Sequence, residues 1–95
     1  MDEEYNLREM VSRQISQRGI GDFRVISVMN TVRRDLFIPL ERRSEAFGDH
    51  PVPIGYGQTI SQPYIIALMT ASLSLTGAEK VLEVGTGCGY QTAIL

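Results

Sequence analysis

The sequence has 95 residues and is 43% hydrophobic and 21% charged, a composition that suits one small globular domain and excludes a disordered chain. Its net charge of −2 argues against a protein that binds nucleic acid through bulk positive charge. The single cysteine, Cys88, excludes an internal disulfide or a multi-cysteine metal site, and the lack of a signal or membrane-spanning pattern leads us to expect a cytoplasmic protein.

The first 40 residues predict two amphipathic helices. Asn6 opens a capping-box pattern, so we expect the first helix to start there and to end at Gly19. Asp22 is the expected N-cap of the second helix, and Arg33 and Arg34 would place positive charge near its C-terminal end. The apolar residues of both helices recur at helical spacing and are expected to form core rather than to carry chemistry: Leu7, Met10, Val11, Ile15, Val25, Ile26, Met29 and Val32.

The middle of the chain changes in character. Residues 41–45 predict a short helical turn with a solvated, charged face. Residues 49–63 contain three prolines and two glycines and keep neither a helical nor a strand period. Long irregular segments inside a compact chain are often functional, so we expect this segment to be a stiff functional loop.

A buried helix and a strand are predicted next. Ser61 is the expected N-cap of a helix from Gln62 to Leu75, with Pro63 in its first turn and apolar residues on more than half of its circumference. Residues 81–84 predict a short strand that leads into a glycine-rich loop and a second helix. Such a junction can bind a small ligand, because glycines allow close backbone approach and the helix start offers free N–H groups.

Several kinds of glycine-rich loop compete at Gly85. A P-loop requires a lysine after its last glycine, and no lysine follows Lys80, so this alternative fails. A dinucleotide-binding fingerprint requires glycine where Tyr90 stands, which makes this alternative weak. The alternating glycines that follow Glu83 resemble the first motif of the class I S-adenosylmethionine-dependent methyltransferases. A purely structural turn between strand and helix is the remaining alternative.

Two motifs together resemble the protein-L-isoaspartate O-methyltransferase family. They are the proline-rich segment 52–63 and the glycine-rich segment 81–91, and residues 10–20 and 32–39 are similar to the family as well. The resemblance covers nearly the whole chain. One departure is Cys88, where the family commonly has serine, and we expect little consequence because both side chains are small.

The resemblance implies an α/β fold of the class I methyltransferase, Rossmann-like type. The chain would hold the N-terminal helical portion, the first strand and the glycine loop of that fold. Residues 1–78 would form the helical and substrate-loop region, and residues 79–95 would begin a truncated S-adenosylmethionine-binding domain. Because the predicted strand has no convincing partner upstream, we expect the chain to be the front part of a longer protein.

The resemblance also implies an activity. The family transfers a methyl group from S-adenosyl-L-methionine to the α-carboxylate of L-isoaspartyl residues, which is a repair reaction on damaged proteins and peptides. Isoaspartyl-containing proteins would then be the partners of a monomeric enzyme, with no role for nucleic acid or membrane. The alternatives are another class I methyltransferase, and an inactive fragment or interaction module.

Residue roles follow by matching the motif positions. Ser61 matches the family's active-site serine and would orient the substrate carboxylate with help from Thr59, although simple helix capping is the alternative role of Ser61. No metal site is expected. The cofactor contacts would be Glu83, Gly85, Thr86, Gly87 and Gly89, and the substrate groove would be lined by Val52, Pro53, Ile54 and Gly55.

Overall fold

The structure is a computed structural model that describes residues 2–95. It contains helices α1 (Glu3–Gln14), α2 (Phe23–Thr31), α3 (Pro63–Ser72) and α4 (Tyr90–Ile94), strands β1 (Val52–Gly55) and β2 (Gln58–Ile60), and short 3-10 turns at Ser16–Arg18, Arg34–Phe37 and Leu40–Glu45. The last 3-10 turn confirms the helical turn predicted for residues 41–45. Among residues 2–95 there is no helix with the length and apolar character that a membrane span requires.

Helix α1 begins earlier than the capping-box pattern predicted. Asp2 is its N-cap, and the Asp2 carboxylate accepts a hydrogen bond from the N–H of Glu4 at 2.9 Å. Glu3 and Glu4 also place negative charge at the positive end of the helix. Asn6 therefore lies inside α1, and the prediction that it caps the helix is wrong. Gly19 ends the helical run as predicted, with a φ of 95° after the first 3-10 turn.

Helix α2 confirms one predicted end and corrects the other. The Asp22 carboxylate accepts hydrogen bonds from the N–H groups of Arg24 at 3.0 Å and Val25 at 3.4 Å, as expected of an N-cap. Val32 then leaves the helix in an extended conformation. Arg34 belongs to the following 3-10 turn and is fully buried, and the last turn of α2 contains no basic residue.

The proline-rich segment is more regular than predicted. β1 and β2 pair as an antiparallel hairpin with Val52 opposite Ile60, which makes the prediction of a wholly irregular loop wrong. Tyr56 and Gly57 form the turn with φ values of 57° and 69°, and positive φ at two successive residues is typical of tight hairpins. Pro53 does not prevent this pairing, because proline is tolerated in edge strands.

Helix α3 starts close to its predicted position but is less buried. Gln62, rather than Ser61, is its N-cap residue, so the prediction that Ser61 caps this helix is wrong. Pro63 occupies the first turn as predicted. The expectation of burial fails on one face, where Leu68 and Met69 are 40% and 49% exposed.

The strand predicted at residues 81–84 does not form. Within residues 2–95 the only sheet is the β1–β2 hairpin, and Leu82 and Val84 are 89% and 90% exposed. An extended segment without a neighbouring strand leaves its backbone N–H and C=O groups without ladder bonds, so an apolar pattern alone does not create a strand. The helix predicted after Gly89 is present as α4.

One apolar core joins these elements. Its members come from α1, α2, the hairpin, α3 and α4, and Ile15 and Met29 are its least exposed large side chains at 0%. Tyr90 and Ile94 of α4 belong to the same cluster. The glycine-rich loop is therefore held at its C-terminal end by a helix that packs against α2.

Candidate functional site

The hairpin and the glycine-rich loop meet at a cavity of about 120 Å³. Thr59 and Ser61 contribute from the end of β2, and Gly85, Thr86 and Gly87 contribute from the loop. These five residues were all predicted to belong to the site. The fold thus brings the two motifs together, although they lie far apart in the sequence.

The backbone of the glycine loop faces open space. Gly85 and Gly87 have φ values of 77° and 55°, which side-chain-bearing residues rarely adopt. A Cβ atom built at either position meets no atom within 4 Å, so a side chain here would enter the space beside the loop. This arrangement fits a loop whose backbone is approached closely by a ligand.

A second cavity of about 360 Å³ adjoins the first. Ile54 and Gly55 of β1 line it, and Gly87 and Cys88 line both cavities. Small-ligand sites are usually about 300–1,000 Å³ in size. The larger cavity alone lies within that range, and the glycine loop borders both cavities.

Four of the predicted site residues lie outside both cavities. Val52 is 0% exposed in the core, and Pro53 is exposed beside it in β1. Gly89 is the N-cap residue of α4 and has a φ of 90°. The Glu83 carboxylate accepts a hydrogen bond from the Thr92 hydroxyl of α4, which ties this acid to the helix that follows the loop.

Ser61 is available for a role other than helix capping. It is half-buried and lines the smaller cavity, while the N-cap position of α3 is taken by Gln62. A hydroxyl group can both donate and accept a hydrogen bond. The capping alternative considered for Ser61 is therefore not supported.

Gln91 lines the smaller cavity, and no role was predicted for it. Its Nε2 donates to the Thr70 hydroxyl at 2.9 Å, and that hydroxyl donates to the Ile66 carbonyl at 2.8 Å. This relay fixes the orientation of the amide and leaves its buried Oε1 without a hydrogen-bond partner among residues 2–95. In the sequence, the one feature that could have pointed to Gln91 was its position in the first turn of the helix after the glycine loop.

A buried arginine lies against the first residue of the helix that follows the glycine loop. Arg34 is fully buried, its Nε donates to the Ala46 carbonyl at 2.7 Å, and its guanidinium carbon lies 5.3 Å from the centroid of the Tyr90 ring. Burial lowers the pKa of Arg34 and raises the pKa of Tyr90 to about 12. Tyr90 is therefore uncharged at neutral pH. Its ring, at the first residue of α4, lies against the Arg34 guanidinium group.

The chain is similar to a known protein family over most of its length. The family model described as "Protein-L-isoaspartate(D-aspartate) O-methyltransferase" matches residues 5–95. "Protein-L-isoaspartate O-methyltransferase 2" of Marinobacter nauticus is 57% identical over 88 residues, which cover 93% of this chain and 40% of the relative. A protein of the same name from Shewanella sediminis is 58% identical over 86 residues, which cover 90% of this chain and 35% of the relative.

A third relative extends the comparison beyond those two bacteria. "Protein-L-isoaspartate O-methyltransferase" of Synechococcus sp. is 55% identical over 87 residues, which cover 92% of this chain and 36% of the relative. The chain thus spans between 35% and 40% of the length of these three curated relatives. With the family model matched over almost all of its residues, the chain belongs to the protein-L-isoaspartate O-methyltransferase family.

Proposed function

We propose that the chain is the N-terminal part of an enzyme that methylates the α-carboxylate of L-isoaspartyl residues in damaged proteins and peptides. The cavity at which Thr59 and Ser61 meet Gly85, Thr86 and Gly87 carries this proposal. The enzyme would have the class I, Rossmann-like fold, with residues 79–95 beginning its cofactor-binding domain, and would act as a monomer in the cytoplasm.

The glycine loop would bind the cofactor. S-adenosylmethionine, when bound, supplies the methyl group. The open space beside Gly85 and Gly87 supports an approach of the methionine end to the loop backbone, and Thr86 adds a hydroxyl group to the same wall. Glu83 would attract the ammonium group electrostatically, and Gly89 would orient the first N–H groups of α4.

Ser61 and Thr59 would orient the substrate carboxylate. A carboxyl group with a pKa of about 4 is ionised at neutral pH, so the residues of this site need no general base. A hydroxyl group that donates a hydrogen bond to the carboxylate can hold the attacking oxygen in one direction and replace part of its hydration. The half-buried position of Ser61 at the cavity suits that role.

The first strand of the hairpin would receive the peptide on either side of the damaged residue. Ile54 and Gly55 line the larger cavity, next to the proposed carboxylate site. Val52 and Pro53 would contribute through the shape of the backbone, because the side chain of Val52 is buried in the core. Recognition through main-chain groups suits an enzyme that accepts many flanking sequences.

A methyl-transfer assay tests the proposal. We would replace the matching region of the Marinobacter nauticus relative by this chain and compare an isoaspartyl peptide with its normal aspartyl counterpart. We expect this chimera to methylate the isoaspartyl peptide alone. Equal labelling of both peptides, or of neither while the unmodified relative remains active, would refute the proposed function.

A further inference from the structure

A cluster of polar side chains closes the base of the hairpin. Arg18 donates hydrogen bonds to both carboxylate oxygens of Asp49, with a distance of 3.1 Å from one terminal nitrogen to Oδ1. Gln62 Nε2 donates to the same Oδ1 at 3.0 Å. Asp49 precedes β1 and Gln62 follows β2, so one carboxylate joins the two ends of the hairpin to Arg18.

Arg18 makes a further contact with the start of α3. Its guanidinium carbon lies 5.5 Å from the centroid of the Tyr64 ring, in the first turn of that helix. Ser61 directly precedes Gln62, so it lies in the sequence between Asp49 and Gln62, two members of the cluster. Arg18 itself is held in the 3-10 turn that Gly19 ends.

The charges of the cluster reinforce one another. Hydrogen bonds from Arg18 and then from Gln62 lower the pKa of Asp49, and the hydrogen bond to Asp49 raises the pKa of Arg18. The side chains of Arg18 and Asp49 are 37% and 43% exposed, so solvent weakens the ion pair without removing it. The Asp49 carboxylate remains a charged acceptor of three N–H donors at neutral pH.

The hairpin needs such a support. β1 has four residues and β2 has three, and a two-stranded hairpin of this size is only marginally stable by itself. The hairpin nevertheless carries Thr59 and leads directly into Ser61. A small movement of its base would change the position of both hydroxyl groups relative to the glycine loop.

We propose that Arg18, Asp49 and Gln62 are positioning residues that hold Ser61 and Thr59 against the glycine loop. This inference rests on the proposed function. None of the three residues lines either cavity of the site, so they act through the hairpin and the start of α3 rather than by touching a ligand. Their loss should affect the use of the peptide and spare the binding of the cofactor.

Arg18→Gln and Asp49→Asn in the chimera test this inference by kinetics and calorimetry. We expect either variant to lower kcat/KM for the isoaspartyl peptide about threefold to fivefold, as for a partly exposed ion pair, without changing the affinity for S-adenosylmethionine. The double variant should have a kcat/KM no lower than that of the less active single variant, because either substitution alone already removes the contact. The control is Arg8→Gln, which removes an arginine from an exposed pair with Glu4 and should change neither quantity.

Amide hydrogen exchange gives a readout that needs no activity. In the 95-residue chain, we expect Asp49→Asn to reduce the protection of residues 52–60, whereas Arg8→Gln leaves it unchanged. Unchanged protection and unchanged kcat/KM would overturn the inference, as would a parallel loss of cofactor affinity. If the chimera is inactive even without these substitutions, the proposed function fails, and the exchange result alone then decides whether the cluster holds the hairpin.

Discussion

We expect the buried contact between Arg34 and Tyr90 to stabilise the fold beneath the glycine loop. The guanidinium carbon lies 5.3 Å from the ring centroid, and the two side chains are 0% and 1% exposed. Because water screens this contact little, the cation–π attraction should contribute about 2 kcal/mol to the free energy of unfolding. The same ring meets Phe37 edge-on at 5.5 Å, so truncating Tyr90 alone would remove two contacts at once.

A double-mutant cycle separates the two contacts. Arg34→Met removes the charge but keeps an unbranched side chain, and Tyr90→Leu removes the ring. Tyr90→Leu loses the Phe37 contact, and Arg34→Met loses the hydrogen bond to the Ala46 carbonyl. Each loss occurs whether or not the other substitution is present, so both cancel in the coupling free energy. We expect urea unfolding to give a coupling free energy of about 2 kcal/mol, which corresponds to a shift in Tm of about 10 °C in a domain of this size.

Tyr90→Phe serves as the control for this cycle. It keeps the ring and removes only the hydroxyl group, which lies 3.9 Å from the Met29 sulfur. A cycle between Arg34→Met and Tyr90→Phe should therefore give a coupling free energy near zero, because the ring that contacts Arg34 is kept. A coupling below about 0.5 kcal/mol between Arg34→Met and Tyr90→Leu would be within the range of independent sites, and it would refute the stabilising role of the contact.

Three further predictions concern the site and the pH dependence of stability. Ser61→Ala in the chimera should lower kcat/KM about tenfold, which is the loss expected for a hydrogen bond to a charged group, and should leave Tm unchanged. A lower Tm with full activity would contradict the role of Ser61 in orienting the substrate carboxylate. In the chimera, Gly87→Val should abolish cofactor binding in calorimetry. The control is Gly21→Val, at another glycine with open space around it, and it should keep the affinity for the cofactor. Retained affinity in Gly87→Val would exclude the loop as the cofactor site. Hydrogen bonds, of which the one from the Thr76 N–H is the strongest cause, lower the pKa of Glu79 from 4.5 to about 2. The contribution of Glu79 to the free energy of unfolding is therefore complete above pH 4.5 and is lost as the pH falls towards 2. The difference in unfolding free energy between wild type and Glu79→Gln should therefore shrink over this window, and a constant difference would show that the hydrogen bonds do not favour the charged form.

The features that the sequence predicted well are decided by neighbouring residues. Asp22 caps α2 because its side chain reaches N–H groups two and three residues ahead. Pro63 opens α3 because its missing N–H would have had no helical partner. Gly19 ends the first helical run because it adopts a left-handed conformation at little cost. None of these choices depends on the remainder of the fold.

The features that were predicted wrongly depend on distant partners. The hairpin required the pairing of Val52 with Ile60, which the prolines concealed, and residues 81–84 lack any such pairing among the described residues. Arg34 was predicted only to place positive charge near the end of α2, and its burial depends on the carbonyl of Ala46 and the ring of Tyr90, which lie far from it in the sequence. Local periodicity carries no information on such contacts.

The same distinction applies to the candidate site. The family motifs predicted its residues, and the structure brings the two motifs to one cavity. The motifs did not predict that Val52 faces the core, because successive strand residues point to opposite sides and the register decides which side is buried. They also did not predict Gln91, whose orientation comes from its bond to Thr70.

The two walls of the cavity are held by different kinds of contact. Tyr90 anchors the glycine loop to the apolar core through contacts that water does not reach. The hairpin wall is closed by a partly exposed ion pair between Arg18 and Asp49, which salt screens more strongly than a buried contact. Raising the salt concentration should therefore raise the KM for the peptide before it changes the affinity for the cofactor. Because the peptide also carries charge, the comparison must be repeated in Asp49→Asn, in which the salt effect on KM should be smaller. An equal salt effect in that variant would mean that salt does not act on KM through the Arg18–Asp49 ion pair.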